Sequence, residues 1–209
     1  MNRLVTALRN ERVVMALKKK SSNNNQIEGA EFLKFRCNQC GTCCRLRIPL
    51  TDDDAHRLKK GTGLPAERFI EFFKKSDFGS TPGQIAWIKF GPREKDKKAM
   101  CVRETGDRCY FLRVKKGCIA YEHRPIVCRE HPFDLTLDDN DRKIESIKMN
   151  DICECSRTLD GKVDKRYIKK VHKQSLAQDE TYFAKVRRWN RRKEYGTERD
   201  FLKFLGLIE

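Results

Sequence analysis

Four cysteines fall within eight residues, Cys37-Asn38-Gln39-Cys40-Gly41-Thr42-Cys43-Cys44, and nothing else in the chain limits its fold as tightly. Two residues between cysteines let a tight turn aim both sulfurs at one ion, and Gly41 eases the backbone through that turn. Three cysteines at successive two-residue gaps match the first part of a ferredoxin-type cluster run, whereas zinc sites more often use two separated pairs. The spacing therefore leans towards an iron–sulfur cluster of the 4Fe-4S type, with zinc as the other option. Neighbouring side chains such as Cys43 and Cys44 are expected to point apart, so Cys44 faces a second metal, bridges two metals or stays free.

The other six cysteines are Cys101, Cys109, Cys118, Cys128, Cys153 and Cys155, so all ten lie between residues 37 and 155. If Cys37, Cys40 and Cys43 share one centre, its fourth ligand comes from this second group, and a metal then staples distant parts of the chain together. The competing reading is an ordinary buried thiol, which packs as a small hydrophobe. It applies least to Cys37, Cys40 and Cys43 and most to Cys101 and Cys155. Disulfides are the weaker option, because the longest apolar run near the N-terminus covers about five residues (Val13 to Leu17) and later runs fall far short of the roughly 20 that span a bilayer. A cytoplasmic, reducing location is expected, where clustered cysteines serve as metal ligands or reactive thiols.

Charge separates the chain into parts. The 209 residues carry 46 Lys and Arg against 30 Asp and Glu, a formal net charge of +16. Residues 1–20 hold six cations against one acid and residues 156–209 hold fifteen against eight, so much of the excess lies outside the cysteine-bearing stretch. This divides the chain into a basic helical arm and polar linker (1–30), a cysteine-cluster metal-binding module (31–158) and basic C-terminal helices (159–209). The fold expected is α+β: a small metal-stapled module with helical N- and C-terminal extensions.

Local signals place the elements. Leu4, Leu8, Val13 or Val14 and Leu17 suit a helix ending on Lys18-Lys19-Lys20, followed by the linker Ser21-Ser22-Asn23-Asn24-Asn25. Thr51 before Asp52-Asp53-Asp54 predicts a capped helix that stops at Gly61. A second helix follows Pro65 and buries Phe69, Ile70, Phe72 and Phe73. A strand is predicted over residues 84–90 around Trp87, and a hairpin joins Tyr110–Val114 to Ile119–Tyr121 through Lys115-Lys116-Gly117. Residues 163–195 contain no Pro and predict a long helix, with a short one over Arg199–Leu207.

Several separate strings agree in order and spacing with a known family. Cys37-x2-Cys40-x2-Cys43-Cys44, then Ile48-Pro49-Leu50-Thr51 leading to Asp54 and Arg57-Leu58, then Cys109-Tyr110-Phe111-Leu112, then the run from Cys118 through His123-Arg124-Pro125 and Cys128 to His131-Pro132-Phe133, closely resemble the YkgJ-type cysteine cluster family. That family is a zinc- or iron-chelating CxxCxxCC domain, and flagellin lysine methylases look related through the same cluster. The resemblance covers about residues 35–155 and implies metal ligation by Cys37, Cys40, Cys43, Cys44, Cys109, Cys118, Cys128 and one of Cys153 or Cys155, with Cys153 preferred. Tyr110 departs from it, standing where Pro is common, and so does His131, standing where an aromatic is usual.

Around Cys128, His123 and His131 are expected as packing or surface histidines in preference to zinc ligands or donors to ligands. Arg124 and Arg129 suit hydrogen bonds to thiolate sulfur, an anionic substrate, or ion pairs with Asp52 to Asp54. No Walker loop, dinucleotide-binding GxGxxG, HExxH or GxSxG occurs, which removes the commonest nucleotide and hydrolase chemistries and leaves enzymatic activity undecided. The leading functional reading is a metal-binding protein that acts as a redox, metal-handling or protein-modification accessory. The alternative is a zinc-stapled binding module whose basic arms contact RNA, a ribosome or an acidic protein; there Arg187-Arg188-Trp189-Asn190-Arg191-Arg192-Lys193 joins cations to an aromatic able to stack on a base, although the spacing of Tyr182, Phe183, Val186 and Trp189 favours a helix that is solvated or docked on the core. A third reading, a methyltransferase-related protein, follows only from the methylase likeness, and no string in the sequence is recognisable as a methyl-donor site.

Overall fold

The computed structural model describes residues 32–78, 85–113, 115–137, 144–150 and 161–209. The N-terminal helix and the linker expected before residue 26, together with Gln84, Val114, Cys153 and Cys155, lie outside the described residues.

The described chain opens with strand β1 (Phe32–Leu33), continues through the cysteine loop and reaches helix α1 (Asp52–Thr62). The helix starts where the capping residues place it: Thr51 Oγ1 accepts from the Asp54 amide at 3.1 Å, and the Asp54 carboxylate accepts from the Thr51 amide at 3.4 Å. Its end differs from the expected stop at Gly61. Gly63, at φ +70°, closes the helix through its amide to Lys59 O, and Gly61 stays inside because the His123 ring lies 2.1 Å from the point a Cβ would take.

One helical turn, α2 (Ala66–Phe69), follows Pro65, but the helix predicted to continue through Phe73 is a strand, β2 (Ile70–Lys74). Next come the short strand β3 (Ile88–Lys89), confined to two residues of the stretch predicted around Trp87, and β4 (Lys97–Val102). β4 runs antiparallel between the other two, pairing Ile70 with Val102, Phe72 with Met100 and Ile88 with Lys98. Ala99-Met100-Cys101-Val102 is a continuous apolar run buried on both faces, which must satisfy its backbone against strands, and this distant pairing overrides the local helical pattern of Phe69 to Phe73. Residues Ile48 to Leu50 extend the same sheet, since the Val102 amide donates to Ile48 O and the Leu50 amide to Met100 O, both at 2.9 Å.

Two small hairpins follow: β5 (Glu104–Thr105) with β6 (Arg108–Cys109), and β7 (Leu112–Arg113) with β8 (Gly117–Cys118). The second is the predicted hairpin with its return strand moved earlier, so that Ile119 is 49% exposed and Tyr121 begins a 3₁₀ turn. A one-turn helix, α3 (Ile126–Glu130), then leads to the hairpin of β9 (Phe133–Leu137) and β10 (Ile144–Met149). Strand β11 (Val163–Asp164) pairs back on β1, and α4 (Lys165–Asn190) and α5 (Glu198–Phe204) complete an α+β chain. Asp164 caps α4 by accepting from the Arg166 amide at 2.7 Å, and Thr197 caps α5 with Asp200.

The C-terminal helices belong to the main core. Tyr182, Val186 and Trp189 of α4 and Phe201 and Leu202 of α5 are buried in one cluster with Leu50, Leu58, Phe69 and Phe111. Trp189 is 2% exposed, its Nε1 donates to Lys89 O at 2.9 Å, and Arg192 lies 4.4 Å above its ring. The docking expected from the spacing of Tyr182, Val186 and Trp189 is what forms, since these positions of α4 face the sheet, and the ring is thereby taken up by packing instead of base stacking. No helix among the described residues is long and apolar enough to cross a membrane.

Candidate metal centre

The cysteine loop owes its shape to two left-handed residues, Gln39 at φ +58° and Gly41 at φ +83°, followed by a 3₁₀ turn over Cys43–Arg45. A Cβ on Gly41 would come within 2.7 Å of Leu112, so glycine serves both the turn and the close approach to β7. Gln39 fastens the loop to the other strand of that hairpin by accepting from the Cys118 amide at 2.9 Å. Within the loop, the Cys40 amide donates to Asn38 Oδ1 at 3.0 Å and the Cys40 thiol to Thr42 Oγ1 at 3.4 Å.

The partner cysteines come from the elements stacked beside this loop: Cys109 ends β6, Cys118 ends β8 and Cys128 lies in α3. Asp54 holds α3 in place. It is 1% exposed, pairs with Arg57, and accepts from the Ile126 amide at 2.9 Å, so the cap of α1 also caps α3. Burial pushes its carboxyl upward against the pull of Arg57 and the two amides.

These elements surround one cavity of about 100 Å³, lined by Cys37, Cys40, Cys43, Cys44, Cys109, Cys118 and Cys128 and walled by Phe35, Leu46, Ile48, Phe111, Leu112, Ala120 and Val127. Seven of the eight cysteines implied by the family resemblance are thereby brought together. Cys101 is not among them: it is fully buried on β4 beside Phe73 and Ala99. Cys43 and Cys44, expected to diverge, line the same space and hydrogen-bond each other, because the 3₁₀ turn places consecutive side chains on adjoining sides instead of the opposite faces of an extended chain.

Tyr121 and Arg124 also line the cavity. The Tyr121 hydroxyl bonds Cys37. The Arg124 guanidinium lies 3.9 Å over the Tyr121 ring and donates to its carbonyl at 2.8 Å. Tyr121 escaped the sequence reading, since one tyrosine in a polar turn gives no local sign of a contact with a residue 84 positions earlier. The ion pairs expected between Arg124 or Arg129 and Asp52 to Asp54 are replaced by Arg57 with Asp54 and Lys185 with Asp52, while Arg129 Nε donates to Arg124 O at 3.2 Å. His123 packs on Gly61, whereas His131 lines the cavity.

Burial raises the thiols of Cys128 and Cys118 and pushes Cys109 up to about 11; the bond to Cys44 and burial together raise Cys43. Burial also lowers the His131 imidazole to about 4. At neutral pH Cys43, Cys109, Cys118 and Cys128 are therefore neutral thiols and His131 a neutral imidazole, which a bound cation would deprotonate or ligate.

The lining fits zinc or iron: soft sulfur donors, apolar walls, and a His131 Nε2 that is shielded from solvent with no hydrogen-bond partner. No group of three or more His, Cys, Asp or Glu among the described residues is drawn together tightly enough to hold an ion as the side chains stand, so ligation requires thiol rotation. The seven thiols of the lining exceed the four ligands that a single tetrahedral centre uses.

The family "CxxCxxCC: Putative zinc- or iron-chelating domain" matches residues 36–154. No curated protein and no solved structure matches the chain. With more than half its length matched, the chain belongs to the CxxCxxCC family of zinc- or iron-chelating domains.

Proposed function

We propose that the cavity houses a thiolate-bound metal centre, an iron–sulfur cluster in preference to zinc, and that the protein acts as a redox, metal-handling or protein-modification accessory. The observation that carries this reading is the convergence of seven thiols from four separate elements on one apolar space. A lone structural Zn²⁺ is wrapped directly by four ligands at about 2.3 Å and leaves little room around it. A cavity of about 100 Å³ is larger than that arrangement needs, and it suits a multinuclear group or two ions. Cys153 joins the seven as the eighth ligand in this reading. When bound, an iron–sulfur cluster supplies one-electron chemistry, with a potential set by hydrogen bonds to sulfur and by burial. Tyr121 and Arg124 are the polar side chains placed to tune it.

Protein purified anaerobically is expected to be brown, with broad visible absorbance and matching iron and sulfide content. A colourless protein holding stoichiometric zinc would remove the iron–sulfur reading and leave a zinc centre.

A further inference from the structure

We propose that His131 is a nitrogen ligand of the metal centre through Nε2, forming with Cys128 a Cys-x2-His pair. The inference rests on reading the cavity as a metal centre. His131 follows Cys128 with two residues between them, the spacing that also separates Cys37, Cys40 and Cys43. Its amide donates to Val127 O at 3.1 Å, which anchors it on the turn that ends α3 while its side chain lines the cavity with the thiols. The Nε2 atom is buried without a hydrogen-bond partner, a costly state for a ring nitrogen unless something in the cavity satisfies it.

The other histidines are differently engaged. His56 Nε2 meets Leu205 O at 3.1 Å, His172 Nδ1 meets Glu130 at 2.9 Å, and the His123 ring packs on Gly61. Space-filling alone would be met equally well by phenylalanine, which has no polar atom to leave unpaired. A ring that lines a cavity together with thiols and carries a buried, unpartnered nitrogen is suited to a metal that takes mixed sulfur and nitrogen ligands, as zinc and iron both do.

Zn²⁺ is the appropriate probe, because it takes thiolate and imidazole without redox chemistry. Metal-free full-length protein, labelled with ¹⁵N at histidine, is titrated anaerobically while bound zinc is counted by native mass spectrometry. One imidazole Nε2 should move to a metal-bound shift as zinc loads, and that signal should be absent from His131→Phe. His131→Phe should bind zinc about tenfold or more weakly, the scale on which metal-site residues act, while His131→Cys, with a thiolate in place of the ring, should recover affinity. A purely structural ring predicts the reverse order of the two variants. Zinc bound with all four imidazoles unmoved, an Nε2 still carrying its proton in the loaded protein, or full affinity in His131→Phe would overturn the ligand and leave the thiol centre intact. Failure of the wild-type protein to bind zinc, and to take up iron and sulfide on anaerobic reconstitution, would overturn both.

Discussion

Trp189 sits 5.0 Å from Phe201, 5.5 Å from Phe204 and 6.3 Å from Phe90, its indole nitrogen satisfied and its neighbours drawn from two helices and the sheet. At the far side of the same core, Cys44, Cys109, Cys118 and Cys128 pack against that cluster but surround about 100 Å³ of space, held by strands two residues long and a loop with two left-handed residues. Protein interiors rarely keep voids larger than a water molecule. The aromatic side is complete through its own packing, and the thiol side is a wall built around something else. Stability and metal capacity should therefore be separable by mutation.

The largest effect is expected on the aromatic side. Trp189→Ala removes a fully buried indole and its bond to Lys89 O, and should cost about 3–5 kcal/mol in denaturant unfolding of the metal-free protein. The metal bound per folded molecule should not change. Loss of metal from the folded variant would show that the two sides are one cooperative unit.

A pair of cysteines sharpens the contrast from the other direction. Cys101→Ala removes a thiol from the β2–β4–β3 sheet and should cost about 1 kcal/mol of stability with metal stoichiometry unchanged. Cys128→Ala removes a thiol from the cavity and should lower stoichiometry or abolish loading, with little cost to the metal-free fold. Equal metal loss in both variants, read by elemental analysis, would end the distinction between structural and ligating cysteines.

How far the sequence could foresee this division depends on the range of each signal. Although α4 covers Lys165–Asn190 and not the whole of 163–195, because Val163–Asp164 pairs with β1, its body and the cap of α1 by Thr51 and Asp54 are written within a few residues and were legible. β2 was not, because Ile70 to Phe73 fits a helical face as well as a strand, and the choice is made by Ala99 to Val102 nearly thirty residues away. For Trp189 the helical spacing with Tyr182 and Val186 pointed to docking, but the partners Lys89, Phe90 and Phe201 were hidden for the same reason. At the site, cysteine spacing identified the chelating loop, yet the convergence of Cys43 and Cys44 needed a 3₁₀ turn that depends on Gly41 lying against Leu112. Cys101 was already the cysteine that, with Cys155, best fitted a plain buried thiol; the sheet adds only what it packs against.

The smallest effect lies beside the thiol wall, in the β9–β10 hairpin. Burial and the Glu130 carboxylate of α3 push Asp134 up to about 6, against the pull of Lys148, its cross-strand partner on β10, and of His172 on α4. A carboxyl raised above its unfolded value of about 3.9 binds more protons in the folded state, so its favourable contribution is complete below about pH 4 and is lost as pH rises through about 6. At neutral pH its charge opposes folding, and partial exposure screens that penalty and keeps it small. Asp134→Asn should therefore gain on the wild type as pH rises from about 5 to 7, in thermal or denaturant unfolding of the metal-free protein; taking the difference between the two proteins cancels the other titrating groups. A stability difference that stays flat across that window would mean that the hairpin is solvated enough to titrate like an unfolded chain. The thiol side would then be looser beyond its cysteines, out to the strands that follow His131.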